Sequence, residues 1–198
     1  MNLPNKLTVL RLILVPFFVA ALFVPIPHHM LIALLIFAAA SFTDHLDGRI
    51  ARKYNLITDF GKFLDPVADK VLVISALVSF VRLGHAELWA VLVIIAREFM
   101  VTSVRLVAAD SGKVIAANSW GKFKTISQLV AILVILILQY IQELISLGIV
   151  PSFSVGAADS GLFFALIGHS LILISVFFTV LSGGIYLKQN WHLIKTAK

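Results

Sequence analysis

No cysteine occurs in the 198 residues, which excludes a disulfide framework and a thiolate-ligated metal. Any metal this chain holds must bind oxygen or imidazole. Charge is scarce too: Asp, Glu, Lys and Arg make up 13% of the chain and hydrophobic residues 60%, with a mean hydropathy of +1.02. Ordinary soluble domains carry about a quarter of their residues charged. The composition therefore excludes one and implies a bilayer as solvent. Neither an internal repeat nor a low-complexity linker is present. Acidic residues are the scarcer sign, 10 against 16 Lys and Arg, so the placement of each one matters.

What is abundant is apolar sequence. Runs at roughly 7–25, 30–43, 66–81, 88–108, 126–150 and 161–187 are each near the length that crosses a hydrocarbon core as a helix. They predict an all-α, polytopic membrane protein of six transmembrane helices forming one domain over residues 1–198. Pro4 suits a first helical turn, and Pro25 and Pro27 should end the first span in a tight turn holding His28 and His29. Further breaks are expected at Tyr54–Thr58, Gly84–Glu87, Asp110–Ser119 and Val150–Ser160.

The cations fall on one side of this six-span arrangement. Lys6 and Arg11 open the first span. Arg49, Arg52, Lys53, Lys62 and Lys70 surround the second-to-third connection, Lys113, Lys122 and Lys124 the fourth-to-fifth, and Lys188, Lys195 and Lys198 follow the last. The opposite side has Arg82 alone. The bias places both termini in the cytoplasm. A net charge of +6 could signal nucleic acid, but that footprint is a contiguous patch on a soluble surface, so no nucleic-acid partner is expected. A cleaved signal segment is the weaker reading of the first span, because Arg11 sits well inside it.

The acids concentrate at the same side. Asp44 and Asp47 are three residues apart where the second span runs on as a polar helix, and Asp65 and Asp69 are four apart where the third span opens. Each spacing puts a pair on one helical face. Four carboxylates brought together would repel one another, so a cation is expected between them. Hard divalent ions such as Mg²⁺ or Mn²⁺ prefer carboxylate oxygens, and a pair of them can clamp the attacking and leaving oxygens of phosphoryl transfer. Gly48 and Gly61 allow close approach beside the acids.

The stretch from Asp44 to Asp69 reads D-x2-D-G-x2-A-R-x8-G-x3-D-x3-D and resembles the signature of the CDP-alcohol phosphotransferase family. Asn5–Arg11, Phe63–Lys70, Ile95–Phe99 and Gly121–Thr125 are similar to its phosphatidylglycerophosphate synthase branch. The resemblance implies a six-helix membrane fold and two divalent metals on Asp44, Asp47, Asp65 and Asp69, with Asp69 as the base. It also implies CDP-diacylglycerol as donor and sn-glycerol 3-phosphate as acceptor. Gly48, Ala51, Arg52 and Gly61 would line the nucleotide site, with Thr43, Lys62, Asn5 and Arg11 beside it. Family members are usually dimers.

Independently of any family, a dianionic acceptor needs cations. Arg97 and Arg105 lie eight residues apart within the fourth span, where arginines are costly enough to imply function; Lys122 and Lys124 open the fifth. These four are the candidate acceptor pocket. Blander readings stand beside them: Arg97 could pair with Glu98, Lys122 and Lys124 could follow the loop charge bias, and Asn5 and Arg11 could anchor the first helix. The aspartates could also cap helices or line an ion pathway, although no matching polar path continues to the other side. His28, His29, His45, His85 and His169 receive no role. Trp89, Trp120 and Trp191 read as interfacial anchors.

Overall fold

The computed structural model describes residues 2–53, 59–110, 119–156 and 158–196. Within these, the side chains of residues 3, 4, 44–53, 59–63, 65, 66, 69, 107, 109, 110 and 192–196 lie outside the description. Two expected breaks, 54–58 and most of Asp110–Ser119, fall outside it as well. The described chain forms α1 (Leu3–Phe23), α2 (His29–Lys53), α3 (Asp59–Arg82), α4 (Leu88–Asp110), α5 (Ser119–Ser146), a short antiparallel pair β1 (Ser154–Val155) and β2 (Ala158–Asp159), and α6 (Ser160–Thr196).

Local chemistry sets the helix ends. The Asn2 side chain accepts a hydrogen bond from the Asn5 amide at 3.2 Å and Pro4 occupies the first turn, where its missing N–H has no helical partner. At the far end α1 stops at Phe23, before Pro25 and Pro27, and Val24 turns extended. His28 completes the turn with a φ of 61°, a left-handed conformation that histidine tolerates better than most residues. Its ring lies 3.3 Å from the Tyr140 hydroxyl on α5.

The start of α2 lacks an acidic residue of its own, and a distant side chain supplies the cap. Glu143 on α5 accepts from the amides of His29 and Met30 at 3.0 and 3.1 Å through its two carboxylate oxygens. A carboxylate on exposed helix amides opposes the positive end of the helix dipole. Glu143→Ala is expected to lower stability by about 2 kcal/mol, read as a lower melting temperature in detergent with activity at low temperature retained.

Helix inner faces follow helical periodicity. Met30, Ala33, Phe37 and Ala40 of α2 meet Val15, Phe18 and Leu22 of α1, with the Phe18 and Phe37 rings 5.4 Å apart. Ala33 and Ala40 are small enough for close helix approach. Leu72, Ala76, Leu77 and Phe80 of α3 and Ile132, Ile135 and Leu136 of α5 complete this core. Helix α4 packs on α3 and α6, with Val101, Val104 and Tyr186 forming a second, smaller cluster. The outer faces are apolar as well: Phe17, Phe42, Leu106 and Phe177 are all more than half exposed. In water such a surface would drive aggregation; in lipid it is the solvated face.

Three helical segments, Asn5–Phe23, Ser119–Ser146 and Ser160–Trp191, are long and apolar enough to cross a membrane, and His29–Thr43 is a shorter apolar stretch. The protein is thus a helical membrane protein. Helix α4 is continuous, but its apolar sequence is interrupted by Arg97, Glu98 and Arg105. Trp89, Trp120 and Trp191 are all exposed.

Candidate active site

Hairpin turns and cross-helix contacts give the bundle two distinct ends. At one end lie the α1–α2 turn, the α3–α4 turn, the end of α5 and the start of α6. Glu143 meets the start of α2 there, and His169 of α6 lies 3.4 Å from Glu87. Gly168 lets α6 pass close to the His85 backbone, since an added Cβ would lie 3.4 Å from it. Burial pushes the His85 pKa below its usual value, against a hydrogen bond with Gln139 and helped by nearby His169; the ring therefore stays neutral near pH 7. Among the described side chains no group of three or more His, Cys, Asp or Glu stands together.

The other end holds the start of α1, the end of α2, the start of α3, the later part of α4, the start of α5 and the end of α6. All four sequence-predicted aspartates belong to it. Asp44 and Asp47 lie in the last turns of α2, and Asp65 and Asp69 in the first turns of α3. The helical backbone runs unbroken through both pairs. Their side chains lie outside the described residues, as do those of Gly48, Ala51, Arg52, Gly61 and Lys62 on the same two helices. Thr43, the last described side chain before them, is half-buried, and its hydroxyl donates to the Ala40 carbonyl at 2.7 Å.

At this end the inner faces of the helices change character. In α1 the buried sequence Val15, Phe18, Leu22 gives way to Asn5, Thr8 and Arg11, with Arg11 only 1% exposed. In α5 the buried residues Ala131, Ile132 and Ile135 give way to Gln128 and Lys124, and in α6 Phe164 and Ile172 give way to Ser175, Thr179 and Ser182. Burying that many polar groups in a bilayer is costly unless they are paired or serve a ligand. In α1 and α5 the buried polar residues lie toward the end where the aspartate helices meet, while His85 and Ser160 are buried at the other.

One network ties four of these helices. Arg97 on α4 donates from Nη1 to Glu98 at 3.0 Å and from Nη2 to the Ser182 hydroxyl on α6 at 3.0 Å. Lys124 on α5 reaches the same Glu98 oxygen, Oε1, at 2.5 Å. One turn on, the Thr102 hydroxyl donates to the Glu98 carbonyl at 2.7 Å and receives a hydrogen bond from Lys70 on α3, the residue that follows Asp69. Two glycines frame the guanidinium: an added Cβ at Gly183 would sit 3.0 Å from Arg97 Cγ, and one at Gly121 4.0 Å from Nη2.

Of the four cations expected to form an acceptor pocket, the structure brings Arg97 and Lys124 together. Arg105 is exposed, its guanidinium carbon 5.7 Å from the centre of the Tyr186 ring on α6. Lys122 is exposed on the first turns of α5. The expected pairing of Arg97 with Glu98 is present, but it does not displace the cluster reading, because Glu98 binds Lys124 as well. Glu98, Ser182 and Gly183 were not candidates from sequence; an acid adjacent to an arginine within an apolar run was the available signal.

Known proteins resemble this chain along most of its length. The model of the CDP-alcohol phosphatidyltransferase family matches residues 1–181. A Bacillus subtilis (strain 168) protein named CDP-diacylglycerol–glycerol-3-phosphate 3-phosphatidyltransferase is 42% identical, over 99% of this chain and 98% of the relative. A protein of the same name from Pseudomonas fluorescens is 36% identical over 99% of the chain and 93% of its own length. One from Escherichia coli (strain K12) is 45% identical over 66% of the chain and 74% of its own. The chain belongs to the CDP-alcohol phosphatidyltransferase family.

Proposed function

We propose that the chain transfers the phosphatidyl group of CDP-diacylglycerol to sn-glycerol 3-phosphate, giving phosphatidylglycerophosphate and CMP. The observation that carries this reading is the likeness, over nearly the whole chain, to relatives named for that reaction. The buried cations of the aspartate end support the choice of acceptor, since a dianionic phosphate needs charge-assisted donors and an uncharged alcohol would not.

The donor set fits a hard divalent metal: Asp44, Asp47, Asp65 and Asp69 offer carboxylate oxygen only, on two helices that pack together. When bound there, two Mg²⁺ or Mn²⁺ ions would supply positive charge to the diphosphate and to the leaving CMP oxygen. Asp69 takes the proton of the acceptor hydroxyl. That oxygen then bonds to the phosphorus of the phosphatidyl group as the bond to the CMP phosphate oxygen breaks, and CMP departs. Arg97 and Lys124 hold the acceptor phosphate so that its hydroxyl points toward Asp69, while Arg105 and Lys122, exposed near the rim, attract the dianion. Gly48, Ala51, Arg52, Gly61, Thr43 and Lys62 on α2 and α3, with Asn5 and Arg11 of α1, receive the cytidine diphosphate.

Such a donor dictates membrane placement. Its acyl chains stay in the bilayer, so we assign all six helices as spans of a bacterial cytoplasmic membrane, with the termini and the aspartate end facing the cytoplasm. The working form is a homodimer joined through an exposed apolar helix face.

Purified protein given radiolabelled CDP-diacylglycerol and a panel of acceptors tests the reaction. Labelled phosphatidylglycerophosphate is expected with glycerol 3-phosphate alone. Product with serine, inositol phosphate or phosphatidylglycerol instead would replace the assigned acceptor.

A further inference from the structure

We propose that Glu98 is the positioning residue of the acceptor site: its carboxylate fixes Arg97 and Lys124 in the one arrangement that receives the acceptor's phosphate. The inference rests on the reaction proposed above.

Geometry makes the case. Arg97, part-buried on α4, needs one counter-charge, and its neighbour Glu98 supplies it at 3.0 Å. Had neutralisation been the only need, a second cation would be superfluous. Lys124 nevertheless reaches the same oxygen at 2.5 Å from another helix, and it is almost fully buried. One carboxylate oxygen thus sets the spacing of two cations drawn from different helices, a fixed pair of charged donors of the kind a phosphate dianion takes.

Unpartnered polar groups lie around the same network. Among the described residues, Arg97 Nε is buried without a hydrogen-bond partner, as are Gln128 Nε2, one turn beyond Lys124 on α5, and Thr179 Oγ1, one turn before Ser182 on α6. Gln128 is 2% exposed and Thr179 0%. Buried donors are rarely left unmade in a finished structure, and an anion with several acceptor oxygens suits them. Because Glu98 is acceptor-only, it holds both cations without offering a donor to the phosphate. The Thr102 link from its carbonyl to Lys70 sets this arrangement beside the residue that follows Asp69.

Glu98→Gln keeps the shape but removes the charge that draws Arg97 and Lys124 together. It is expected to raise the KM for glycerol 3-phosphate about tenfold, with the KM for CDP-diacylglycerol unchanged and kcat less affected. Glu98→Asp should recover part of the loss. Ser182→Ala, which releases the other arm of the Arg97 fork, should raise the same constant selectively, and it serves if the Gln variant does not fold. In a double variant with Lys124→Ala the two effects should fall well short of multiplying, since one group acts through the other. Glycerol 3-phosphate-dependent CMP release with an unchanged acceptor KM in Glu98→Gln and Ser182→Ala, or fully multiplicative effects, would overturn the positioning role alone. Absence of such release from the wild-type protein would instead overturn the reaction.

Discussion

Asp69→Asn is expected to lower kcat by roughly a thousandfold while leaving the KM for CDP-diacylglycerol within about twofold of wild type. A carboxamide has nearly the size of a carboxylate and keeps one oxygen acceptor, so the helix start and the donor site should survive. What it cannot do is take a proton. A positioned general base contributes between about a hundred- and ten-thousandfold in rate, and no other carboxylate follows Asp69 on α3. Because the amide oxygen can still ligate, Mn²⁺ affinity should fall far less than the rate does. Substantial activity in this variant with saturating Mg²⁺ would remove Asp69 from the base role.

The second large effect concerns the divalent ions. Chelation is expected to abolish CMP release, and readdition of Mg²⁺ or Mn²⁺ to restore it; Asp44→Ala, Asp47→Ala and Asp65→Ala should each lose roughly a hundredfold or more. Electrostatics decides this. Two carboxylates about 4 Å apart at an effective dielectric near 20 repel by about 4 kcal/mol, and four at the meeting of two helices add several such pairs. Without a cation the acids must separate or take up protons. Metal should therefore raise the melting temperature in detergent as well as the rate. A protein equally active and equally stable in excess chelator would contradict the assignment.

Much of this was legible in the sequence because membrane solvent makes the code blunt. Pro25 and Pro27 end α1 where expected, within two residues of the apolar run. The acid-bearing stretches remain helical because nothing in them breaks a helix: α2 runs ten residues past its apolar stretch to Lys53, and α3 starts at Asp59, ahead of its own. Pro66 is the eighth residue of α3, past the first turn expected for it, and the helix runs on through it without that one backbone hydrogen bond. The hairpin of β1 and β2 was not legible, since a loop rich in Pro, Gly and Ser gives no register.

Side-chain partnership was the harder part. Arg97 and Arg105, eight residues apart, looked like one stripe, yet eight helical steps overshoot two turns by about 80°. One is framed by Gly121 and Gly183 and the other lies on Tyr186. Lys122 and Lys124 are about 200° apart around α5, so only one faces inward. The bridging role of Glu98 and the capping role of Glu143 depend on which helices are neighbours. That information lies in the packing of α4, α5 and α6, not in the spacing along any one of them.

Anomalous diffraction from crystals grown with Mn²⁺ tests the central assignment most directly. Two manganese peaks between the last turns of α2 and the first turns of α3, each within ligation distance of carboxylates among Asp44, Asp47, Asp65 and Asp69, are the expected result. Full manganese-dependent activity in solution, with no peak at that place, would contradict it.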